Sequence, residues 1–149
     1  MRTFLGLGSN LGDRRGQLRA AVDALDDLVT VSPVYETEPV GGPDDQGPYL
    51  NLVVELDTEL SPQELLAECH RLEHAAGRLR RVRWGPRTLD VDILWIDGVE
   101  VDEPGLHIPH RRMGRRRFVL APLRDLAPDL VSEADLEAAG GEVEEVDPL

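Results

Sequence analysis

Lysine is absent from this chain: all sixteen of its Lys/Arg positions are arginine. A Gly-x-x-x-x-Gly-Lys-Ser/Thr phosphate loop therefore cannot exist, and a P-loop kinase is excluded. Cysteine is almost as scarce. A lone Cys69 cannot close an internal disulfide, and no Cys/His cluster has zinc spacing, which rules out a stapled secreted scaffold. The opening MRTFLGLGSNLGDRR has too few consecutive apolar residues for a signal peptide, and no run of about 18 apolar residues follows. A cytoplasmic protein that neither crosses nor enters a membrane is expected. Aromatics are few, two each of Phe, Trp and Tyr, so any that falls in a loop needs a reason to be there.

What the chain does have is enough apolar material for one core: 149 residues, 41% hydrophobic, read as a single domain over 1–149 with an acidic tail over 132–149 expected to be partly disordered. A monomer is the expected assembly. The formal net charge of -13 argues against a nucleic-acid binder, because phosphate affinity comes from basic surface. That charge is unevenly spread. Arg71 to Arg117 holds 11 arginines against 7 acids, or +4, and the remainder holds 5 against 22, or -17. A basic island of this kind is often no more than a solvated face, but this one also contains the unusual motifs.

Local patterns give the element order. Thr3 to Leu7 is a short apolar run meeting the turn Gly8-Ser9-Asn10, a strand signal. Leu18, Ala21, Val22, Leu25 and Leu28 then recur at helical spacing, predicting a helix over Asp13 to Leu28. Val29 to Tyr35, with Pro33 inside it, reads as an edge or bulged strand. Residues 38–48, EPVGGPDDQGP, form a loop; Tyr49 to Leu56 is a strand; and Ser61-Pro62-Gln63-Glu64 opens a second helix ending near Gly77. RLRRVRWGP (78–86) is a basic loop and Thr88 to Trp95 a strand. After a turn at Asp97-Gly98 comes a stretch read as loop plus one short helix. The order strand, helix, strand, strand, helix, strand is the split βαβ plan: an α+β, ferredoxin-like fold with a mainly antiparallel sheet and both helices packed on one face.

Function must come from the site, since this fold hosts many. In RWGPRTLDVDIL, positions i and i+2 of the strand share a face, so Asp90 and Asp92 project together about 7 Å apart while Leu89, Val91 and Ile93 enter the core. Paired carboxylates call for a shared proton, arginine partners or a hard divalent cation. Arginine loops on either side, Arg78 to Arg87 before and Arg111 to Arg117 after, supply guanidinium forks that match phosphate oxygens. Together they suit a magnesium-polyphosphate substrate. Asn51, Trp84 and Phe118 could read and stack a planar heterocycle. Gly6-Leu7-Gly8 lacks the third glycine of a dinucleotide fingerprint. Two other readings are a regulatory nucleotide-binding module, disfavoured by having both the acid pair and the aromatics, and a metal-dependent phosphodiesterase, disfavoured by the acidity outside the island.

The run RWGPRTLDVDIL, the opening GLGSNLGDR, the YLN strand, IPHRRM, RRFVLAPL and LAPDL together resemble the 6-hydroxymethyl-7,8-dihydropterin pyrophosphokinases of folate biosynthesis, over about residues 3 to 131. The resemblance implies transfer of pyrophosphate from MgATP to the pterin's hydroxymethyl group, with AMP as the second product. It implies two magnesium ions on Asp90 and Asp92, and Arg78 and Arg87 as catalytic phosphate contacts. ATP binding is implied for Leu66, Glu73, Arg80, Ile93, Leu106, His107, His110, Arg111 and Arg116. Pterin binding is implied for Thr37, Val40, Tyr49, Asn51, Trp84 and Phe118, and the loops 38–48 and 78–86 are the implied lids. Departures are Arg111, where the family often has an aromatic or proline, and Gly105, where some members have Arg.

Overall fold

The computed structural model describes residues 1–37, 47–77 and 89–149. Its elements run β1 (Arg2–Ser9), α1 (Arg14–Asp23), β2 (Leu28–Val31), β3 (Val34–Thr37), β4 (Tyr49–Asp57), α2 (Pro62–Ala75), β5 (Asp90–Ile96), β6 (Val101–Glu103), β7 (Leu106–Ile108), α3 (Arg117–Leu126), α4 (Glu133–Ala138) and β8 (Val143–Val146). The main sheet has the order β5-β1-β4-β3-β8, with β2 on another stretch of β4, and every pairing is antiparallel. This is the expected α+β, ferredoxin-like plan.

Both faces of the sheet are covered. On one, Leu5, Leu7, Leu52, Val91 and Ile93 pack against Leu18 and Ala21 of α1 and Leu65, Cys69 and Leu72 of α2. On the other, Phe4, Val53 and Leu94 pack against Leu120 and Leu123 of α3 and against Ala139. Each leucine buried this way contributes about 1.5–3 kcal/mol. The α1 and α2 stripes thus lie on one face as the periodicity indicates, and the opposite face is closed by α3, the short helix expected after the loop. Pro122 sits inside that ten-residue helix. Its ring removes one helical hydrogen bond, but the burial of Leu120, Pro122 and Leu123 offsets the loss.

Three other boundaries differ from expectation. Helix α1 stops at Asp23, and its chain turns through Asp27 at φ 59 before Leu28 opens β2; the apolar period runs on past a helix that has already ended. The Val29 to Tyr35 strand is two strands, split at Ser32 and Pro33, both paired to β4. The acidic tail, expected to be partly disordered, contains α4 and β8, with β8 adding to β3 from Val34↔Val146 to Thr37↔Val143. Backbone pairing does not depend on side-chain charge, and with Glu144 and Glu145 exposed, Val146 packs against the margin of the core that α1 and α2 cover.

Helix α2 begins as its residues dictate. Ser61 accepts from the Glu64 N–H, Glu64 accepts from the Ser61 N–H, and Pro62 occupies the first turn. Strand β5 carries a bulge opposite Phe4 and Leu5, which turns Leu94 and Trp95 to the same side. Upstream of it, Val91 and Ile93 face α2 while Asp90 and Asp92 face away, toward the α3 side. No helix among the described residues is long and apolar enough to cross a membrane.

Candidate active site

Strand β5 is the edge of the sheet, and a cavity of about 600 Å³ runs past both of its sides. On the α2 side it is lined by Leu66, His70 and Glu73, with Ile93, Leu106 and His107. On the α3 side it is floored by Gly6 and Gly8 of β1 and walled by Thr37, Tyr49, Asn51 and Phe118. Asp90, Asp92, His110 and Arg116 also line it.

Strand register builds the floor. Gly8 lies opposite Asn51 on one side and Asp90 on the other, and Gly6 opposite Val53 and Asp92. The acids and the amide are therefore held two strands apart across a pair of glycines. A β-carbon on Gly8 would come within 2.6 Å of Asn51 Oδ1, so only glycine leaves the Asn51 side chain where it is. That side chain is buried, and its Nδ2 donates to Thr37 Oγ1 at 3.0 Å. Its Oδ1 stands over the floor.

Strand β5 is itself fixed from outside. Glu73, 4% exposed, accepts from the Val91 N–H at 3.0 Å, satisfying a donor on the free edge of the sheet one residue from each acid. Asp90 is half-buried and Asp92 exposed to the cavity. Among the described residues no three His, Cys, Asp or Glu side chains converge as a metal cage. The donor set is a carboxylate pair, which suits magnesium, an ion that keeps several waters and completes its octahedron with substrate phosphates.

The cationic wall follows β7. His110 donates its backbone N–H to Leu94 O, and its Nδ1 accepts from the Arg112 N–H at 3.1 Å. Burial, then the charges of Arg116, Arg112 and His107, hold its pKa below the usual histidine value. A neutral imidazole with Nδ1 accepting carries its proton on Nε2, ready to donate. Arg116 lies over the Phe118 ring, 5.4 Å from the centroid. Burial, then Arg112, lowers its pKa, against the opposing pull of Asp92 and Tyr49; a guanidinium so placed is short of negative charge. His107 and Arg111 both meet Asp102 across the β6–β7 hairpin, at 2.7 and 3.6 Å.

The structure thus brings together Thr37, Tyr49, Asn51, Leu66, Glu73, Asp90, Asp92, Ile93, Leu106, His107, His110, Arg111, Arg116 and Phe118 around one cavity. Val40, Arg78, Arg80, Trp84 and Arg87 lie outside the described residues. Arg112, one of the arginines expected to match phosphate oxygens, also lines the cavity, whereas His70 and the glycine floor are site residues that the sequence reading does not include. His70 had a signal: Leu66, His70 and Glu73 stand at i, i+4 and i+7, one helix face. The glycines had none, since their role depends on which strands flank β1.

Residues 4–128 match the family model described as 7,8-dihydro-6-hydroxymethylpterin-pyrophosphokinase. The 2-amino-4-hydroxy-6-hydroxymethyldihydropteridine pyrophosphokinase of Pseudomonas aeruginosa is 48% identical over 134 residues, covering 87% of this chain and 82% of that protein. The proteins of the same name from Methylorubrum extorquens and Bacillus subtilis are 46% and 45% identical, covering 87% and 88% of this chain and 85% and 81% of theirs. Among solved structures, an HPPK-DHPS in complex with substrates superposes with a TM-score of 0.62 at 14% identity, covering 93% of this chain and 42% of that one. The Plasmodium falciparum HPPK-DHPS with STZ-DHP gives 0.60 at 16%, covering 83% and 39%. The chain spans about two fifths of those longer proteins, and the likeness to them is one of fold.

Proposed function

The chain belongs to the 7,8-dihydro-6-hydroxymethylpterin-pyrophosphokinase family, and from that membership we propose how its residues divide the work. The enzyme transfers the pyrophosphoryl group of ATP to 6-hydroxymethyl-7,8-dihydropterin in folate biosynthesis. The pterin hydroxyl oxygen forms a bond to the β-phosphorus, the bond from that phosphorus to the oxygen bridging it to the α-phosphate breaks, AMP leaves, and the hydroxyl proton is released.

The observation that carries the division is the placing of Asp90 and Asp92 between two unlike halves of one cavity. The half over Gly6 and Gly8 suits the pterin. Asn51, with one Nδ2 hydrogen committed to Thr37, presents Oδ1 and its other N–H to the amide-like edge of a planar ring. Phe118 offers its face, Tyr49 closes the wall, and Trp84 and Val40 join them by motif match. The half between α2 and β7 suits the nucleotide, with Leu66, Ile93 and Leu106 as its apolar lining and His107 and Arg111 at its rim. Glu73 belongs to this half and keeps β5 in place. His110, through Nε2, and Arg116 face the phosphates, with Arg78, Arg80 and Arg87 from the loop outside the described residues.

Asp90 and Asp92 would hold magnesium, which family membership implies, and we assign them two ions. Bound there, magnesium would neutralise phosphate charge and bring attacking and leaving oxygens into line. Little covalent work is left to the protein, whose part is positioning and exclusion of water, the competing nucleophile.

Incubating the protein with MgATP and the reduced hydroxymethylpterin should give AMP only when the pterin is present. ADP, or no turnover, would overturn the reading. Asp92→Ala should lower kcat by about a hundredfold or more while the circular dichroism spectrum stays native. A near-wild-type rate would remove Asp92 from the chemistry.

A further inference from the structure

The family model matches residues up to 128, yet the chain beyond it pairs with the elements that wall the cavity. Helix α3 has no side-chain N-cap, so its first N–H groups need acceptors from elsewhere. The tail supplies one. Gly140 O accepts from the Arg117 N–H at 3.1 Å, and the Gly140 N–H donates to Arg115 O at 3.1 Å, a reciprocal pair that brackets Arg116. Held on both sides, Arg116 is extended, at φ -120 and ψ 115, and its side chain lies over Phe118 at the cavity.

The support is mutual. The Arg117 guanidinium turns away from the cavity and donates to Leu136 O at 3.3 Å and Glu137 O at 3.1 Å, carbonyls of the last turn of α4 that have no helical partner. Ala139, 4% exposed, anchors the tail between Phe4, Val53 and Leu123. Beyond it, β8 sets Val143 opposite Thr37, the residue that holds the Asn51 amide. The tail therefore touches the backbone beneath both proposed pterin walls, and it caps the helix that carries Phe118.

We propose that Ser132 to Val146 is a brace of the active site, with Arg117 and Gly140 as positioning residues that fix Arg116 and Phe118 for substrate binding. This rests on the functional reading above. The brace makes no contact with substrate and acts through the geometry of the α3 N-terminus. Small errors there are costly, because a side chain misplaced by about 1 Å can forfeit up to a hundredfold in rate.

Arg117→Met removes both guanidinium bonds without touching the cavity lining. At a temperature well below its unfolding midpoint it should raise KM for the pterin and for MgATP by about tenfold, and Arg117→Lys, which can still donate to the carbonyls, should recover most of that. A lowered midpoint with wild-type KM values would overturn the proposal, because that is what a purely structural role produces. The wild-type assay separates the two readings: absence of pterin-dependent AMP there condemns the function, not the brace. Should Arg117→Met fail to fold, hydrogen exchange on the wild type decides. Addition of α,β-methylene-ATP with magnesium and pterin should slow exchange at the Arg117 and Gly140 amides, and unchanged exchange overturns the brace.

Discussion

Gly8 lies in one cross-strand row with Asn51 and Asp90, so a single added carbon there tests the proposed pterin half in isolation. In Gly8→Ala the new methyl meets Asn51 Oδ1 at 2.6 Å, and overpacking of this kind costs about 1–3 kcal/mol unless the amide moves. The amide should move, raising KM for the pterin about tenfold or more while KM for MgATP stays near wild type. An unchanged pterin KM would separate Asn51 from pterin recognition. A second test at this scale concerns His110, whose pKa is lowered from 6.5 in the fold, first by burial and then by Arg116, Arg112 and His107. As pH falls through 6.5 the unfolded chain takes up this proton first, so the fold loses stability until the lowered folded-state value is also passed. His110→Gln removes that contribution. Urea unfolding at about pH 7.5 and about pH 5.5 should show a smaller acid loss in the variant than in the wild type, and an equal loss would contradict the inferred burial of a neutral imidazole. What could be read of this site from sequence was the chemistry: two acids on one strand face, arginines on either side, an Asn and aromatics. What could not be read was the floor, because Gly6 and Gly8 gain meaning only once β4 and β5 are known to flank β1.

Elements differ in how fully their own residues announce them. Helix α2 is stated completely by local chemistry, from the Ser61/Glu64 capping box and Pro62 to Gly77 at φ 70, and it presents Leu66, His70 and Glu73 to the cavity. Ser61→Ala should therefore cost about 1 kcal/mol in stability yet leave kcat nearly unchanged, because the cap lies at the far end of the helix from Glu73. Equilibrium urea unfolding and steady-state assay of the same preparation check the two halves of that statement. Gly114, Pro122 and the arginines around them speak for a loop and no more than a short helix, and the apolar face of the ten-residue α3 becomes favourable only against Phe4, Val53 and Leu94. Strand β8 was missed for a related reason. A Val-Glu-Glu-Val segment carries no strong preference of its own, and its partner β3 lies more than a hundred residues upstream. Local signals placed the six elements of the split βαβ plan, and tertiary context created the rest.

For the whole molecule, charge is the property that the fold reorganises. A net -13 repels MgATP, which is itself negative, whereas the stretch from Arg71 to Arg117 is net +4 and contributes Arg111, Arg112, Arg116 and His110 to the cavity. The two fields act over different distances. The acidic surface is spread over helices and tail and works at long range, and the basic groove works within a few ångströms of the bound phosphates. Screening separates them, since the Debye length is about 30 Å at 0.01 M salt, about 8 Å at 0.15 M and about 3 Å at 1 M. Raising salt from the lowest value should remove the distant repulsion first, so association of MgATP should quicken. Further salt should then weaken the local attraction, and association should slow again. The rate constant for binding a fluorescent MgATP analogue, measured by stopped flow across this range, should therefore pass through a maximum. A steady fall from the lowest salt upward would mean that the groove governs the field at all distances and that the surplus acid has no part in substrate capture.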